Sequence, residues 1–352
     1  MNGSWECWEM EFDLSLMGTA LEDVARRTGE LAALGADGFF AAEGPHDVFA
    51  PLYLSAAGAP GAALMTNAAI AFPRNPIHLA HSAWDLQRLS SGRFRLGIAP
   101  QVPAHIIRRF GLEWSRPVER MADLVAALHA IFATFQDGAP LQHEGDFYRH
   151  TLMTPMFNPG PLAWGAPPVI LGALGPAMTS LAVREADGLS ILPFCSEALL
   201  RESTLPAIEA GLESAGRDRT TIDIICGAIV AVGSSDEELA AADAGARALL
   251  GFYGSTPAYR RVLASIGRVE LADPLSAAVR AGDFGALGSL IDDHVVEELA
   301  LVGRPAEVAE RLVRRFGWLA DRVALFLPAA ASDETLTELF ASLHQQSPRS
   351  AS

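Results

Sequence analysis

Short apolar runs alternate with longer segments of mixed character along most of the chain. In the longer segments, apolar residues recur every three or four positions, which is typical of helices with one buried face. The run at 222–232 is apolar almost throughout, as in a strand that is buried on both faces. Strands are predicted at residues 11–16, 38–42, 64–71, 94–98, 169–171, 188–192, 222–232 and 323–327. Helices are predicted at residues 21–34, 76–89, 117–135, 176–186, 197–215, 305–316 and 334–343.

Eight units of strand and helix predict an α/β fold of the (β/α)8 TIM-barrel class, with a parallel sheet covered by helices. Two insertions interrupt the alternation, at 136–168 after the fourth strand and at 234–302 after the seventh. The second is expected to hold several short helices and to serve as a lid, an oligomer contact or passive surface. We expect one barrel domain at 10–343, an N-terminal extension at 1–9 and a flexible tail at 344–352.

Composition narrows the function classes. The chain has 352 residues, 50% of them hydrophobic, which is enough for a large core. No apolar run reaches the roughly 18 residues of a membrane span, and we expect a cytoplasmic protein without a membrane partner. The formal net charge of -16 argues against a nucleic-acid partner. The chain contains no lysine, which excludes Schiff-base aldolases, pyridoxal-phosphate enzymes and P-loop nucleotidases. No cluster has the spacing of metal ligands, so no metal is expected.

The loop after the second predicted strand reads Glu43-Gly44-Pro45-His46-Asp47. Catalytic residues of barrels lie at the carboxyl ends of the strands, and a histidine there can transfer a proton near neutral pH. The equally open alternative is a solvated loop whose Asp47 caps the next helix.

Other loops on the same face carry further candidates. The turn Gly172-Ala173-Leu174-Gly175-Pro176 opens a helix, whose free N–H groups can bind an anion. Such a turn is also ordinary where no ligand binds. The small residues from Asn67 onward can receive a flat ring or simply fit a tight barrel. Arg74 and Gln101 follow these strands as anion or amide donors, although Arg74 is also compatible with a surface charge.

Several runs together resemble the luciferase-like family, most closely its coenzyme F420-dependent branch. The resemblance covers residues 10–328. It is carried by Ala71-Phe72-Pro73-Arg74-Asn75-Pro76, Ala83-Trp84-Asp85-Leu86-Gln87-Arg88-Leu89-Ser90-Ser91-Gly92-Arg93-Phe94, Arg108-Arg109-Phe110-Gly111, Trp114-Ser115-Arg116-Pro117, Gly175-Pro176, Ala186-Asp187-Gly188 and Phe252-Tyr253-Gly254-Ser255-Thr256-Pro257-Ala258-Tyr259-Arg260.

The resemblance implies hydride transfer between the deazaflavin coenzyme F420 and a small organic substrate at the mouth of the barrel. It places a non-proline cis peptide behind the ring, which by position falls at Asn67–Ala68. The remaining implied residues are His46 for proton transfer, Glu43 and Asp47 to orient it, Arg74 and Gln101 in the cofactor site, Leu174, Gly175 and Pro176 at the phosphate, and His105 and Trp114 at the substrate.

Two alternatives stay open. One is an FMN-dependent monooxygenase that is supplied by a separate reductase. The other is a family member without a cofactor, which Ala99-Pro100-Gln101 favours slightly because relatives usually have a glycine-rich turn there. Relatives also suggest a homodimer formed by helices beside the second and third strands, with Ala56, Ala57 and Leu79 as candidate contacts.

Overall fold

Eight parallel strand positions close into a barrel in the computed structural model, which describes residues 10–347. Around the barrel the order is β1, β2, β3, β5, β8, β9, β10 and β12, and β12 pairs again with β1. Short β4 extends the position of β3, and β11 pairs with the end of β10. The strands are β1 Glu11–Ser15, β2 Gly38–Ala41, β3 Ala63–Thr66, β4 Ala69–Ile70, β5 Phe94–Ala99, β6 His143–Glu144, β7 Arg149–His150, β8 Val169–Ala173, β9 Gly188–Ile191, β10 Asp223–Val232, β11 Ala300–Gly303 and β12 Arg322–Phe326.

Helices connect the strands around the outside, as continuous parallel pairing requires. Their bounds are α1 Leu21–Ala33, α2 Ala50–Gly58, α3 Pro76–Leu89, α4 Pro103–Arg108, α5 Pro117–Asp137, α6 Pro176–Glu185, α7 Glu197–Leu199, α8 Leu205–Ala215, α9 Asp236–Gly254, α10 Arg260–Ser265, α11 Ala272–Ala281, α12 Asp293–Leu299, α13 Pro305–Phe316 and α14 Asp333–Gln346. The predicted TIM barrel is therefore confirmed. None of the described helices is both long and apolar enough to cross a membrane.

The barrel has two apolar regions. The larger one lies between strands and helices, and a smaller cluster fills the interior with Phe40, Met65, Ile170, Ile225, Ala324 and Phe326. The rings of Phe40 and Phe326 are 4.7 Å apart. Because alternate side chains of a strand point to opposite faces, these inward residues make a packed core rather than a pore.

An ion pair occupies the N-terminal end of the barrel interior. Arg322 on β12 donates from Nε to Oδ2 of Asp13 on β1 over 2.9 Å, and a second bond joins the same two groups. Both side chains are only 2% exposed. Close by, Arg95 on β5 pairs with Asp223 on β10 at 2.8 Å. These charges close the end of the barrel opposite the candidate site.

Three sequence predictions need correction. The third strand is not continuous but is interrupted after Thr66. The cis peptide lies in this interruption at Asn67–Ala68, where it was predicted. The second insertion contains the 19-residue helix α9 and the strand β11, so it is more than a set of short helices. Helix α14 continues to Gln346, past the predicted end at 343, because His344 Nε2 lies 3.2 Å from Oδ2 of Asp37.

Two further predictions concern the ends of the chain and the candidate dimer contacts. The extension at 1–9 lies outside the described residues, as does the end of the tail. Of the three candidate dimer contacts, Ala56 and Leu79 are buried within the chain itself at 7% and 0% exposure. They are monomer core, because helices α2 and α3 pack on the barrel through these side chains. Ala57 is exposed.

Candidate functional site

The carboxyl ends of the strands form one open face, which we call the mouth. All barrel strands run parallel, so the loops that follow β2, β4, β5, β8 and β9 meet there. Insertion residues of α9 and α10 reach the side of the mouth above β8 and β9. Most sequence-predicted site residues therefore lie on the same face.

Glu43, Asp47 and Arg74 form one network at the edge of the mouth. Glu43 is 10% exposed at its side chain, and its Oε1 accepts from the backbone N–H of Ile70 over 3.1 Å. The same oxygen binds Nη1 of Arg74, which also donates to the carbonyl of Ile70 over 3.0 Å. Nη2 of Arg74 reaches Oδ2 of Asp47 at 3.2 Å. The network thus ties the loop after β2 to β4.

His46 stands apart from that network. Its side chain is exposed, and it has no hydrogen bond to any of the residues that the structure describes. Glu43 and Asp47 pair with Arg74 and make no hydrogen bond to this imidazole. Asp47 also accepts from the backbone N–H of Phe49 over 3.0 Å, but no side chain caps α2, so Asp47 is not the predicted helix cap. The imidazole of His46 is consequently free to meet a ligand.

The floor of the mouth is built from small residues. The cis peptide Asn67–Ala68 lies between β3 and β4, where it brings Ala68 near β8. A methyl group placed on Gly172 would lie 3.1 Å from Cβ of Ala99 and 4.0 Å from Cβ of Ala68. No large side chain stands on these three neighbouring positions. The floor thus consists of backbone and methyl groups at these positions.

Ser190 is a site residue that the sequence analysis missed. It lies on β9 with 4% exposure, and its Oγ donates to Oδ1 of Asn67 over 2.7 Å. Strands β3 and β9 are not neighbours in the sheet, so this bond crosses the interior just below the floor. It fixes the side-chain amide of Asn67 and leaves the amide NH2 group without a partner among the described residues.

The turn after β5 departs from the glycine-rich pattern, yet its backbone enters the left-handed region at Gln101. Gln101 has a φ of +67°, a left-handed conformation that favours glycine. Its Oε1 accepts from the backbone N–H of Val102 over 3.0 Å, so the side chain caps its own turn. His105 follows on α4 and is exposed, whereas Trp114 packs its ring 5.6 Å from that of Phe72.

The predicted anion site lies where α6 begins. Gly175 precedes the helix, Pro176 is its first residue, and no side chain caps the first turn. A methyl group placed on Gly175 would lie 3.3 Å from Nη1 of Arg261, which belongs to α10 in the second insertion. Nη2 of the same arginine donates to Oγ of Ser203 over 2.9 Å. Sequence reasoning missed Arg261 and Ser203, although Arg261 directly follows the aromatic motif at 252–260.

Two half-buried tyrosines and the fully buried ring of Phe194 behind them form a wall above β9. Phe194 stacks on Tyr253 at 5.7 Å and contacts Tyr259 at 6.3 Å. Burial raises the pKa of both tyrosines, so their hydroxyls stay neutral. Neither hydroxyl has a hydrogen-bond partner in the described part of the chain. This wall therefore offers apolar surface with two neutral polar groups.

Residues 9–322 match the family of luciferase-like monooxygenases. The chain belongs to this family. The luciferase-like chain is 42% identical over 323 residues to "Uncharacterized protein Rv1360" of Mycobacterium tuberculosis, covering 91% of this chain and 95% of that protein. It is 27% identical over 247 residues to the 5,10-methylenetetrahydromethanopterin reductase of Archaeoglobus fulgidus, which covers 68% of this chain and 70% of the reductase. Its fold matches the coenzyme F420 dependent tetrahydromethanopterin reductase from Methanopyrus kandleri with a TM-score of 0.80 at 17% identity, over 96% and 99% of the two chains.

The resemblance proposed from the motifs is thereby confirmed at the level of the family. This luciferase-like chain is an oxidoreductase by family. Its mouth combines a floor of small residues, a free imidazole, an uncapped helix start and an arginine from an insertion. Among the described residues no group of His, Cys, Asp and Glu side chains has the arrangement of a metal site.

Proposed function

We propose that this luciferase-like protein transfers hydride between coenzyme F420 and a small, largely apolar organic substrate. The observation that carries the proposal is the layout of the mouth, where a floor of small residues adjoins an anion-binding helix start. A planar ring with a phosphate-bearing side chain needs both features side by side. The reductase relatives support the deazaflavin as that ring.

The residues present fit such a cofactor. Asn67 and Ala68 would back the ring, and Gln101 and Arg74 would flank it. The backbone at Leu174, Gly175 and Pro176 would hold the phosphate, since uncapped N–H groups and the helix dipole favour an anion. When bound, the deazaflavin supplies a hydride at its C5 position. His105 and Trp114 lie on the loop after β5 as candidates for substrate contact.

His46 is the proposed proton-transfer group. Its imidazole is exposed on the mouth face and is bound to none of the described residues, so it can reach a substrate atom. Glu43 and Asp47 act at one remove, because they hold the loop through Arg74. His46 thus transfers the proton, and the network of Glu43, Asp47 and Arg74 holds the loop that carries it.

Cofactor titration tests the proposal. Purified protein is titrated with coenzyme F420 and, separately, with FMN, and binding is followed by absorbance and fluorescence. We expect F420 to bind with a dissociation constant at least roughly tenfold lower than that of FMN, a difference of about 1.4 kcal/mol.

A positive titration is followed by oxidation of reduced F420 against a panel of small ketones, aldehydes and enones. Preferred binding of FMN would instead support the flavin monooxygenase. Absence of binding to both compounds would support a family member without a cofactor, and either result would overturn the proposal.

A further inference from the structure

We infer that Arg261 binds the phosphoryl group of the cofactor, reaching the start of α6 from the second insertion. This inference rests on the proposed function, since it concerns the same mouth. It assigns a binding role to a segment that lies far from the barrel turn in sequence. The ligand chemistry is a phosphate ester on the side chain of a deazaflavin or flavin.

The contacts of Arg261 place its guanidinium at the helix start. Nη2 donates to Oγ of Ser203, which fixes the plane of the group. Nη1 has no hydrogen-bond partner among the described residues and lies 3.3 Å from where a side chain on Gly175 would begin. A side chain at position 175 would push the guanidinium aside by a few tenths of an ångström, whereas glycine leaves it in place. The free donor therefore faces the gap between the guanidinium and the helix.

The charge of Arg261 is not neutralised within the described chain. Its neighbour Arg260 pairs with Asp273 on the surface at 2.9 Å, whereas Arg261 has no carboxylate partner. The side chain of Arg261 is half-buried and therefore stays partly accessible to a ligand. In a chain with a net charge of -16, the absence of a carboxylate here leaves room for an external anion. Burial raises the pKa of the Cys195 thiol beside β9 to about 12, and the charges of Arg315 and, to a smaller extent, Arg261 oppose that rise.

A phosphate ester matches these donors. Arginine binds phosphate through two parallel N–H groups, and such charge-assisted bonds are about twice as strong as neutral ones. The first-turn N–H groups of α6 are available to the same anion, because no side chain caps them. The insertion would thereby close one side of the cofactor site with a positive charge.

The experiment compares pairs of ligands with and without phosphate. The pairs are F420 with its phosphate-free core deazaflavin, and FMN with riboflavin. Dissociation constants are measured by fluorescence for the wild type, for Arg261→Met and for Arg261→Lys. We expect Arg261→Met to weaken binding of the phosphorylated cofactor roughly 10- to 100-fold and to leave the phosphate-free core unchanged. Lysine should restore part of the affinity because it keeps the charge without the fork.

The matched control is Arg260→Met, which removes an adjacent surface arginine and should leave all four constants unchanged. Thermal unfolding of each variant verifies the fold. An equal loss for the phosphorylated and phosphate-free ligands would overturn the inference, since it would indicate a structural role. Full affinity of Arg261→Met would overturn it as well.

The outcomes separate this inference from the proposed function. Preference for FMN with a loss confined to FMN in Arg261→Met would contradict F420 but support Arg261 as the phosphoryl ligand. Preference for F420 without any effect of Arg261→Met would support the proposed function but contradict Arg261 as the phosphoryl ligand. Binding of none of the four ligands would overturn both.

Discussion

Individual residues in the mouth show which side chains are occupied and which are available. The carboxylate oxygens of Glu43 and Asp47 accept hydrogen bonds from Arg74 and from backbone N–H groups. His46 makes no such bond to a described residue, so its imidazole is available in this loop. Availability, rather than mere presence in the loop, separates the proton-transfer candidate from the residues that position it.

His46→Ala tests this separation. We expect kcat with the substrate from the panel to fall by roughly 100-fold, because a positioned acid or base contributes about that much or more. The dissociation constant of the cofactor should stay unchanged, since His46 holds no part of the folded network. Stopped-flow oxidation of reduced F420 measures the first quantity, and fluorescence titration measures the second.

His78→Ala is the matched control, because His78 is exposed on α3. Wild-type turnover in His46→Ala with intact cofactor binding would remove His46 from the mechanism.

At the scale of elements, the barrel strands are held at their beginnings as well as at the mouth. Asp187 precedes β9, and its Oδ2 accepts from the backbone N–H of Val169 at the start of β8 over 2.8 Å. His129 on α5 approaches the same oxygen at 3.3 Å. One carboxylate thus links two strands and a helix. Burial raises the pKa of Asp187, but the bonds from His129 and Val169 outweigh it, so the net shift is downward.

A downward shift fixes the sign of the pH dependence. The ionised carboxylate stabilises the folded state at any pH above its usual pKa, and this contribution is lost as pH falls through the lower folded value. We expect Asp187→Asn to lower the free energy of unfolding by about 1 kcal/mol at neutral pH, since a neutral amide makes a weaker bond. The difference should shrink below pH 3.8, the usual value for this group.

Urea unfolding across a pH series measures this dependence, with exposed Asp146→Asn as the control. A difference that stays constant down to the acid end would show that the charge of Asp187 is not the cause.

The elements also mark where periodicity succeeds and where it fails. Helix α13 lies at Pro305–Phe316, as the apolar stripe predicts, because one face packs on the barrel through Val308 and Leu312. The break after Thr66 is not visible in the apolar pattern, since residues on both sides of it are buried. The π-helical turn Leu200–Thr204 is equally hidden, because its apolar positions read as ordinary helix.

At the scale of the whole molecule, the two ends of the barrel have opposite roles. The mouth exposes unpaired groups, while the other end buries Asp13 and Arg322 as a pair from the first and last strands. Burial raises the pKa of Asp13 to about 7, against the opposing charge of Arg95, and burial lowers the pKa of Arg322 to about 10. This pair joins the two strands that close the barrel.

Removal of Arg322 alone should therefore destabilise the protein more than removal of both charges together. We expect a loss of about 3–5 kcal/mol in the free energy of unfolding, because the buried carboxyl group of Asp13 loses its ion-pair partner and Glu11 loses the same guanidinium. The double variant Asp13→Leu with Arg322→Leu should recover most of that loss. Denaturant unfolding monitored by circular dichroism measures both.

Exposed Arg116→Leu, which loses a surface pair with Asp146, should change stability by less than about 1 kcal/mol and serves as the control. A double variant as unstable as Arg322→Leu would show that packing, not the unpaired charge, determines the effect.

Local sequence determined the barrel, the order of its strands and the loops that carry candidate residues such as His46 and Gly175. These follow from periodicity and turn chemistry, which act between near neighbours in the chain. Only the tertiary structure decided that Arg74 takes up Glu43 and Asp47, that Ser190 holds Asn67, and that Arg261 reaches Gly175. Those contacts join residues on different elements, so they depend on how strands and insertions close in space, which no local pattern encodes.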